Sequence, residues 1–424
     1  MILLKLATKS LLNRRASVLL SLLTIAISVM LLLTIERVRM QAKESFAATV
    51  SGTDLIVGAR TGDIQLLLAS VFRIGHMNNG VSWQSYQDIS TKRGIKWALP
   101  LSLGDTHKGY AVLGTTGDYF THFQYGKKQH LSFSAGVPFA NNNDVVLGAE
   151  VAKRLGYDLG DNIVVAHGMG KTSFHHHDDK PLTVVGILAA TGTPVDKTLH
   201  VPLIAIDQLH GAETQQAEHL HAEHHDDEHD QEHLVDLVGE PKQISAFLLG
   251  FDSPLYTLQV RRNINNYKPE PLMAIMPGVT LRELWGMLAM VEKLLLLFSV
   301  VVLVVSLLGM LTTLLANLSQ RRRELAILRS VGAKPWHIFS LMSMESLLIS
   351  LLGTTFGVAL CYLLLTLAQP QLQAQAGINI DLQGISSYEL MLIAVIMAAA
   401  WIVGLIPAIR AYFYSLHDGM SVKT

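Results

Sequence analysis

Residues 294–320 read LLLLFSVVVLVVSLLGMLTTLLANLSQ, and residues 321–338 read RRRELAILRSVGAKPWHI. The first stretch holds no Asp, Glu, Lys or Arg, and about 20 helical residues suffice to cross roughly 30 Å of hydrocarbon. The second opens on three arginines, which mark a segment held on the cytoplasmic side during insertion. Together they predict a membrane-spanning helix that ends in the cytosol. Three further windows repeat the charge-free pattern, Ala16–Ile35, Ser346–Ala368 and Leu390–Ile409. The first is longer than the apolar region of a cleaved signal peptide and runs into Glu36, Arg37 and Arg39 instead of a small-residue cleavage site, so it reads as an uncleaved anchor.

Composition agrees with this. The chain has 424 residues, 50% hydrophobic and only 16% charged, with a mean hydropathy of +0.34, too apolar for an ordinary soluble domain. The bias is uneven, because roughly 250 residues between the first two spans have globular composition, enough for one large or two small domains. A bundle made only of spans is thereby excluded. Lys and Arg number 33 against 34 Asp and Glu, a net charge of -1, so no basic field points to nucleic acid as a partner. The single cysteine, Cys361, lies in an apolar run and allows no internal disulfide.

Orientation follows from the short loops. Lys5, Lys9, Arg14 and Arg15 precede the first span, Arg321, Arg322, Arg323, Arg329 and Lys334 follow the second, and the segment 369–387 has no Lys or Arg. The expected layout is an N-terminal cytoplasmic segment and first span (1–40), an extracytoplasmic domain (41–287), the second span (288–320), a cytoplasmic helix (321–337), the third span (338–368), a short outer loop (369–387), and the fourth span with a cytoplasmic tail (388–424). The fold class is membrane α-helical with a large inserted α+β extracytoplasmic domain. Within that domain 53–58, Asn162–Val165, Leu182–Leu188, Ala246–Leu249 and Tyr256–Val260 read as strands, and Ile64–Phe72, Trp83–Ile89, Glu150–Leu155 and Leu281–Met290 as helices, the last continuing into the second span.

Between Gly211 and Gly239 the composition turns to histidine and acid. His221, His225, His229 and His233 recur every four residues, so in a helix they share one face about 6 Å apart, near enough for pairs to chelate Zn²⁺. A smaller cluster, His175, His176 and His177, precedes Asp178 and Asp179. The plain alternative is a solvated insertion whose histidines bind nothing. Two H-x-x-E-H matches fall in the same tract, at His225–His229 and His229–His233, but such matches arise by chance in a segment built of His, Asp and Glu, and a catalytic helix needs apolar positions to pack.

In the cytoplasmic segment Leu325, Leu328 and Val331 make an apolar stripe at three-residue spacing, with Arg322, Arg323 and Arg329 on other faces. Gly332 can end this short helix, and Pro335 can open the next at its first turn. Arginines placed only to fix topology require no stripe, no Glu324 and no such stop and restart. Trp336 and His337 read as interface anchors. Glu345 lies either against lipid, at a cost, or at headgroup depth.

The run from Arg321 to Ala359, with Glu324, Gly332, Ala333, Glu345, Gly353 and Gly357, resembles the permease subunits of MacB, FtsX and LolC/LolE-type ABC transporters. The layout of one span, a large periplasmic domain and three spans is similar to that family, and Ser51–Gly75, Val145–Gly160 and Leu182–Leu203 resemble its periplasmic parts more loosely. The resemblance implies a homodimer in a bacterial inner membrane, with no catalytic site of its own, and ATP and Mg held by separate cytoplasmic ATPase subunits. It further implies docking of those subunits on Arg322, Arg323, Glu324, Leu325, Leu328, Arg329 and Gly332, and nucleotide-driven motion passed to the periplasmic domain, with a periplasmic binding or adaptor protein as a further expected partner. No G-x-x-x-x-G-K-[ST] run occurs, and the histidine insertion has no counterpart in the family pattern. The expected function is export or extraction of a substrate, linked to Zn through the histidines. A metal-binding membrane sensor or metallochaperone without an ATPase is the alternative.

Overall fold

In the computed structural model the described residues are 15–75, 77, 79–167, 181–206, 240–320, 327, 330–376 and 384–417. The first apolar window forms part of helix α1 (Arg15–Thr49), which continues well past Ile35. The chain divides into two compact units, one of residues 1–41, 288–375 and 379–424, the other of 42–287 and 376–378.

The second unit is α+β. Its strands are β1 (Leu55–Ala59), β2 (Val81–Ser82), β3 (Ile95–His107), β4 (Tyr110–Thr115), β5 (Gln124–Tyr125), β6 (Gln129–His130), β7 (Phe133–Gly136), β8 (Asp144–Leu147), β9 (Asn162–Ile163), β10 (Ala166–His167), β11 (Leu182–Leu188), β12 (Thr198–Pro202), β13 (Gln243–Ile244), β14 (Ala246–Phe251) and β15 (Leu272–Ile275). Its helices are α2 (Asp63–Ser70), α3 (Trp83–Ser90), α4 (Asp118–His122), α5 (Ala149–Leu155) and α6 (Leu255–Asn265). One mixed sheet of 11 strands runs β15-β1-β14-β3-β4-β12-β8-β11-β7, with β10 added to β3 and β9 to β11. The pairs β4·β12 and β8·β11 are parallel.

Both faces of this sheet are covered, and the pleat decides which side chain goes where. Ile56, Leu99, Leu101, Leu113, Val146 and Leu248 point to one face, where Leu66 and Leu67 of α2 and Tyr119 and Phe120 of α4 complete a core. On the opposite face Leu55, Val57, Phe247 and Leu249 meet Ile89 of α3 and Val260 and Ile264 of α6. Further along that face Val112, Val145, Leu147, Leu199 and Val201 meet Val151 of α5. Two-sided burial explains why β8, β12 and β14 are buried at every position and why β14 is an unbroken apolar run.

One element differs in kind from the sequence expectation. Tyr256–Val260, read as a strand from its local Tyr, Thr and Val, lies inside helix α6. Val260 and Ile264 are four apart and buried together, so the helical period wins over local β preference once there is a sheet face to cover.

The other unit contains α1 and three more helices long and apolar enough to cross a membrane, α7 (Pro277–Gln320), α8 (Pro335–Ala376) and α9 (Ser387–His417). Many of their large apolar side chains are exposed, among them Leu297, Phe298, Val305 and Leu308, as expected where the solvent is lipid. Contacts between helices use small and hydroxyl residues instead. The Ser28 and Ser306 hydroxyls lie 2.6 Å apart between α1 and α7, and Thr34 Oγ1 donates to Cys361 Sγ at 3.3 Å between α1 and α8. At Gly357 a Cβ would come within 2.7 Å of the Ala26 carbonyl and 2.8 Å of Val29 Cβ, so α1 and α8 approach this closely only because a side chain is missing.

Candidate coupling site

The loop between α7 and α8 ends in defined geometry. The Val331 amide donates to the Ile327 carbonyl at 3.2 Å, and Gly332 follows with φ +102, a left-handed conformation that stops a helix at little cost to glycine. Helix α8 then opens at Pro335, whose missing N–H costs nothing at a helix start. Ile327, Val331 and Trp336 are exposed at 64%, 83% and 66%. One turn into α8 the surface closes: Ile338 and Met342 are buried with Leu318 of α7 and Ala408 and Ala411 of α9, and Phe339 packs beside them. One apolar cluster therefore joins α7, α8 and α9 next to this loop. Arg322, Arg323, Glu324, Leu325, Leu328 and Arg329 lie outside the described residues. Glu345 is enclosed by protein at 5% exposure, so it does not face lipid.

Elsewhere in the same unit lies a charge network that sequence reasoning missed. Arg37 and Glu389 pair at 3.3 Å, with side chains 7% and 10% exposed, and join the first membrane helix to the last. The Arg37 guanidinium also donates to the Gly384 carbonyl and stacks over the Tyr362 ring at 4.7 Å, while the Tyr362 hydroxyl donates to the same carbonyl at 3.1 Å. Glu389 has a second task. Its carboxylate accepts from the Ser386 amide at 2.9 Å and its own amide donates to Ser386 Oγ at 3.2 Å, a capping box that starts α9. Arg39 binds Glu36 at 2.5 Å and Glu292 of α7 at 3.5 Å. The sequence signal was an acid and two arginines at the end of an apolar window, read as the polar end of a span. Charges buried at such a place require partners, and that requirement could have started the search for Glu292 and Glu389.

His175, His176, His177, His221, His225, His229 and His233 lie outside the described residues, and among the described residues no group of three or more His, Cys, Asp and Glu is arranged to hold a metal ion. The flanks of both tracts are defined. The first leaves after β10, whose Ala166 pairs with Thr106 of β3, and Thr106 in turn pairs with Ala111 near the start of β4. The second leaves beyond β12, whose Pro202 pairs with Thr115 at the far end of β4. The described flanks of the two tracts thus lie on strands beside opposite ends of β4.

Comparison with known proteins yields two family matches. The profile described as FtsX-like permease C-terminal matches residues 296–416, and that described as MacB-like periplasmic core domain matches residues 18–232. Among solved structures, the periplasmic region of MacB from Actinobacillus actinomycetemcomitans aligns with a TM-score of 0.35 and 11% identity, covering 56% of this chain and 97% of that one. The extracellular domain of the noncanonic ABC-type transporter YknZ from Gram-positive bacteria aligns with a TM-score of 0.30 and 13% identity, covering 52% and 98%. No curated protein matches the chain.

Proposed function

The chain belongs to the MacB/FtsX-type family of ABC transporter permeases, and we propose that it works as a homodimer passing ATP-driven motion of a separate cytoplasmic ATPase to its periplasmic domain, to export or extract a substrate on that side. The observation that carries this reading is the cluster of Leu318, Ile338, Met342, Ala408 and Ala411, which gathers three helix ends beside a loop whose Ile327, Val331 and Trp336 stand exposed. An exposed apolar surface in a segment whose sequence carries arginines and one glutamate suits docking of a soluble protein. Reversing the charge of Glu324 opposes whatever basic group meets it on the partner. Glu324→Lys is therefore expected to abolish coupled ATP hydrolysis while the protein still inserts and purifies, and unchanged coupled turnover would reduce the loop to a topology signal.

The zinc link is the second part of the proposal. Imidazoles four residues apart bind Zn²⁺ only when neutral, so affinity should fall below about pH 6.5. Deleting Gly211–Gly239 and comparing ATPase turnover and growth with and without a zinc chelator tests this. A zinc-dependent difference confined to the intact protein supports it, and equal behaviour removes zinc from the function.

A further inference from the structure

The hairpin from β3 to β4 turns on two residues, Lys108 and Gly109, both in the left-handed region with φ +49 and +86. Two such residues in a row make the tight turn that strand twist favours, and glycine adopts its part at no steric cost. A lysine holds that conformation only when its surroundings enforce it. Tyr157, just beyond α5, supplies the enforcement: the Lys108 ammonium donates to its hydroxyl at 2.9 Å and lies 5.1 Å above its ring.

The residue before the turn completes the contact. His107 is 5% exposed, and its imidazole joins three segments of chain. Its Nδ1 lies 2.6 Å from the Val164 carbonyl, between β9 and β10, and its Nε2 lies 3.0 Å from the Tyr157 hydroxyl. A carbonyl can only accept, so Nδ1 carries the proton and Nε2 presents its lone pair to the Tyr157 O–H, while the Tyr157 oxygen accepts from Lys108. Each link from Lys108 through Tyr157 and His107 to Val164 pairs a donor with an acceptor, and this holds only while His107 is neutral. Burial pushes His107 below the ordinary histidine value; the bond to Val164 opposes the shift and Lys108 adds to it.

Protonation reverses one of these links. Nε2 becomes a donor facing a hydroxyl that was donating to it, the Tyr157 proton loses its acceptor, and a second positive charge appears beside Lys108. The groups around His107 are Lys108 from its own turn, Tyr157 from the end of α5, and Tyr110, its register partner on β4, which is flanked by Arg154 and Glu150 of α5. Asp105 is buried two residues back on β3, and His167 of β10 pairs with it in the backbone register. We propose that His107 is an acid-released latch: neutral, it clamps residues 156–167 to the turn between β3 and β4, and protonated, it lets them go, so that the periplasmic domain loosens locally as the pH on its side of the membrane falls. The latch depends neither on zinc nor on the coupling loop.

The test is hydrogen exchange of the full-length protein in detergent at about pH 7.5 and about pH 5.5, corrected for intrinsic exchange rates and followed in peptides covering 104–112 and 156–167. A released His107 binds its proton near pH 6.5 and the clamped one only at lower pH, so the open state gains as pH falls, and protection of these peptides should drop by up to about tenfold between the two conditions. His107→Gln offers an amide donor and a carbonyl acceptor but does not titrate, so the drop should disappear. If that variant is already loose at the higher pH, Tyr157→Phe decides, because it keeps His107 but removes the hydroxyl that protonation must reverse; it should lower protection at pH 7.5 and shrink the drop. A drop of less than about twofold in the unsubstituted protein overturns the proposal. So does a drop that survives His107→Gln, as titration of Asp161 or His167 would produce, or one undiminished in Tyr157→Phe.

Discussion

The two units bury opposite things. In the periplasmic domain a sheet covered on both faces removes leucine, valine and phenylalanine from water, while in the membrane unit large apolar side chains stand exposed and what is enclosed includes Arg37, Glu389, Glu345 and a series of serines. Exposure of a leucine therefore means different things in the two places, because lipid is as apolar as the side chain and gives it no reason to leave. In one unit stability resides in transferred area, and in the other in paired charge, hydroxyl contacts and close backbone approach.

The contrast breaks most readily at Arg37. Replacing it with Met leaves Glu389 buried without its cation, and the expected loss is about 3–5 kcal/mol, measured by unfolding of the purified protein in detergent. The double variant Arg37→Met with Glu389→Gln should recover part of that loss, and a double variant no better than the single would show that the pair is not the relevant contact. Next comes a matched pair of leucines. Leu99→Ala, fully buried in the sheet, should cost about 2–5 kcal/mol, whereas Leu297→Ala, 57% exposed on α7, should stay within about 0.5 kcal/mol. Equal losses would erase the distinction between the units.

A titration sharpens it further. His200 is neutral in the folded domain down to about pH 3 but takes a proton near pH 6.5 when unfolded. Between those values the unfolded state binds more protons, so stability rises with pH across the window, by on the order of 1 kcal/mol per unit, and the gain levels off above about pH 6.5. His200→Gln should flatten that part of the profile, and an unchanged slope would place the dependence elsewhere. The smallest effect belongs to Ser28→Ala, which removes one interhelical hydroxyl contact and should cost about 0.6 kcal/mol, read as a small shift in the same unfolding measurement.

The same contrast governs what could be read from the sequence. Spans are legible because hydrocarbon thickness imposes a length on charge-free windows, and 294–320 meets it without reference to any other residue. Strand β8 has no signature in the sequence, since a strand buried on both faces loses the alternation that announces it and a run such as Val145–Leu147 could belong to either kind of element. Tyr256–Val260 was misread because the feature that makes it helical, the sheet face under Val260 and Ile264, is formed by strands distant in sequence. The candidate site was legible in part: Gly332 and Pro335 declare a stop and a start from local chemistry alone. The Arg37 network was not, because its partners Glu292, Tyr362 and Glu389 are known to it only through the fold. His107, Lys108 and Tyr157 carry no joint signal until the turn after β3 and the end of α5 bring them together.

The tie between Arg37 and α9 also bears on how the protein is made. Arg37 is synthesised near the beginning of the chain, and the Gly384 carbonyl to which it donates comes 347 residues later, with Glu389 just beyond. At about 5–20 residues per second the ribosome takes roughly 17–70 s to supply those partners. Throughout that time the helix carrying Arg37 must be sheltered by water, by headgroups or by the insertion machinery, since Arg37 has none of the partners that accept it in the finished protein. Of the four candidate spans, the fourth thus closes on the first. A ribosome stalled before residue 384 should leave an inserted but unlocked chain, open to proteolysis at the helix that carries Arg37.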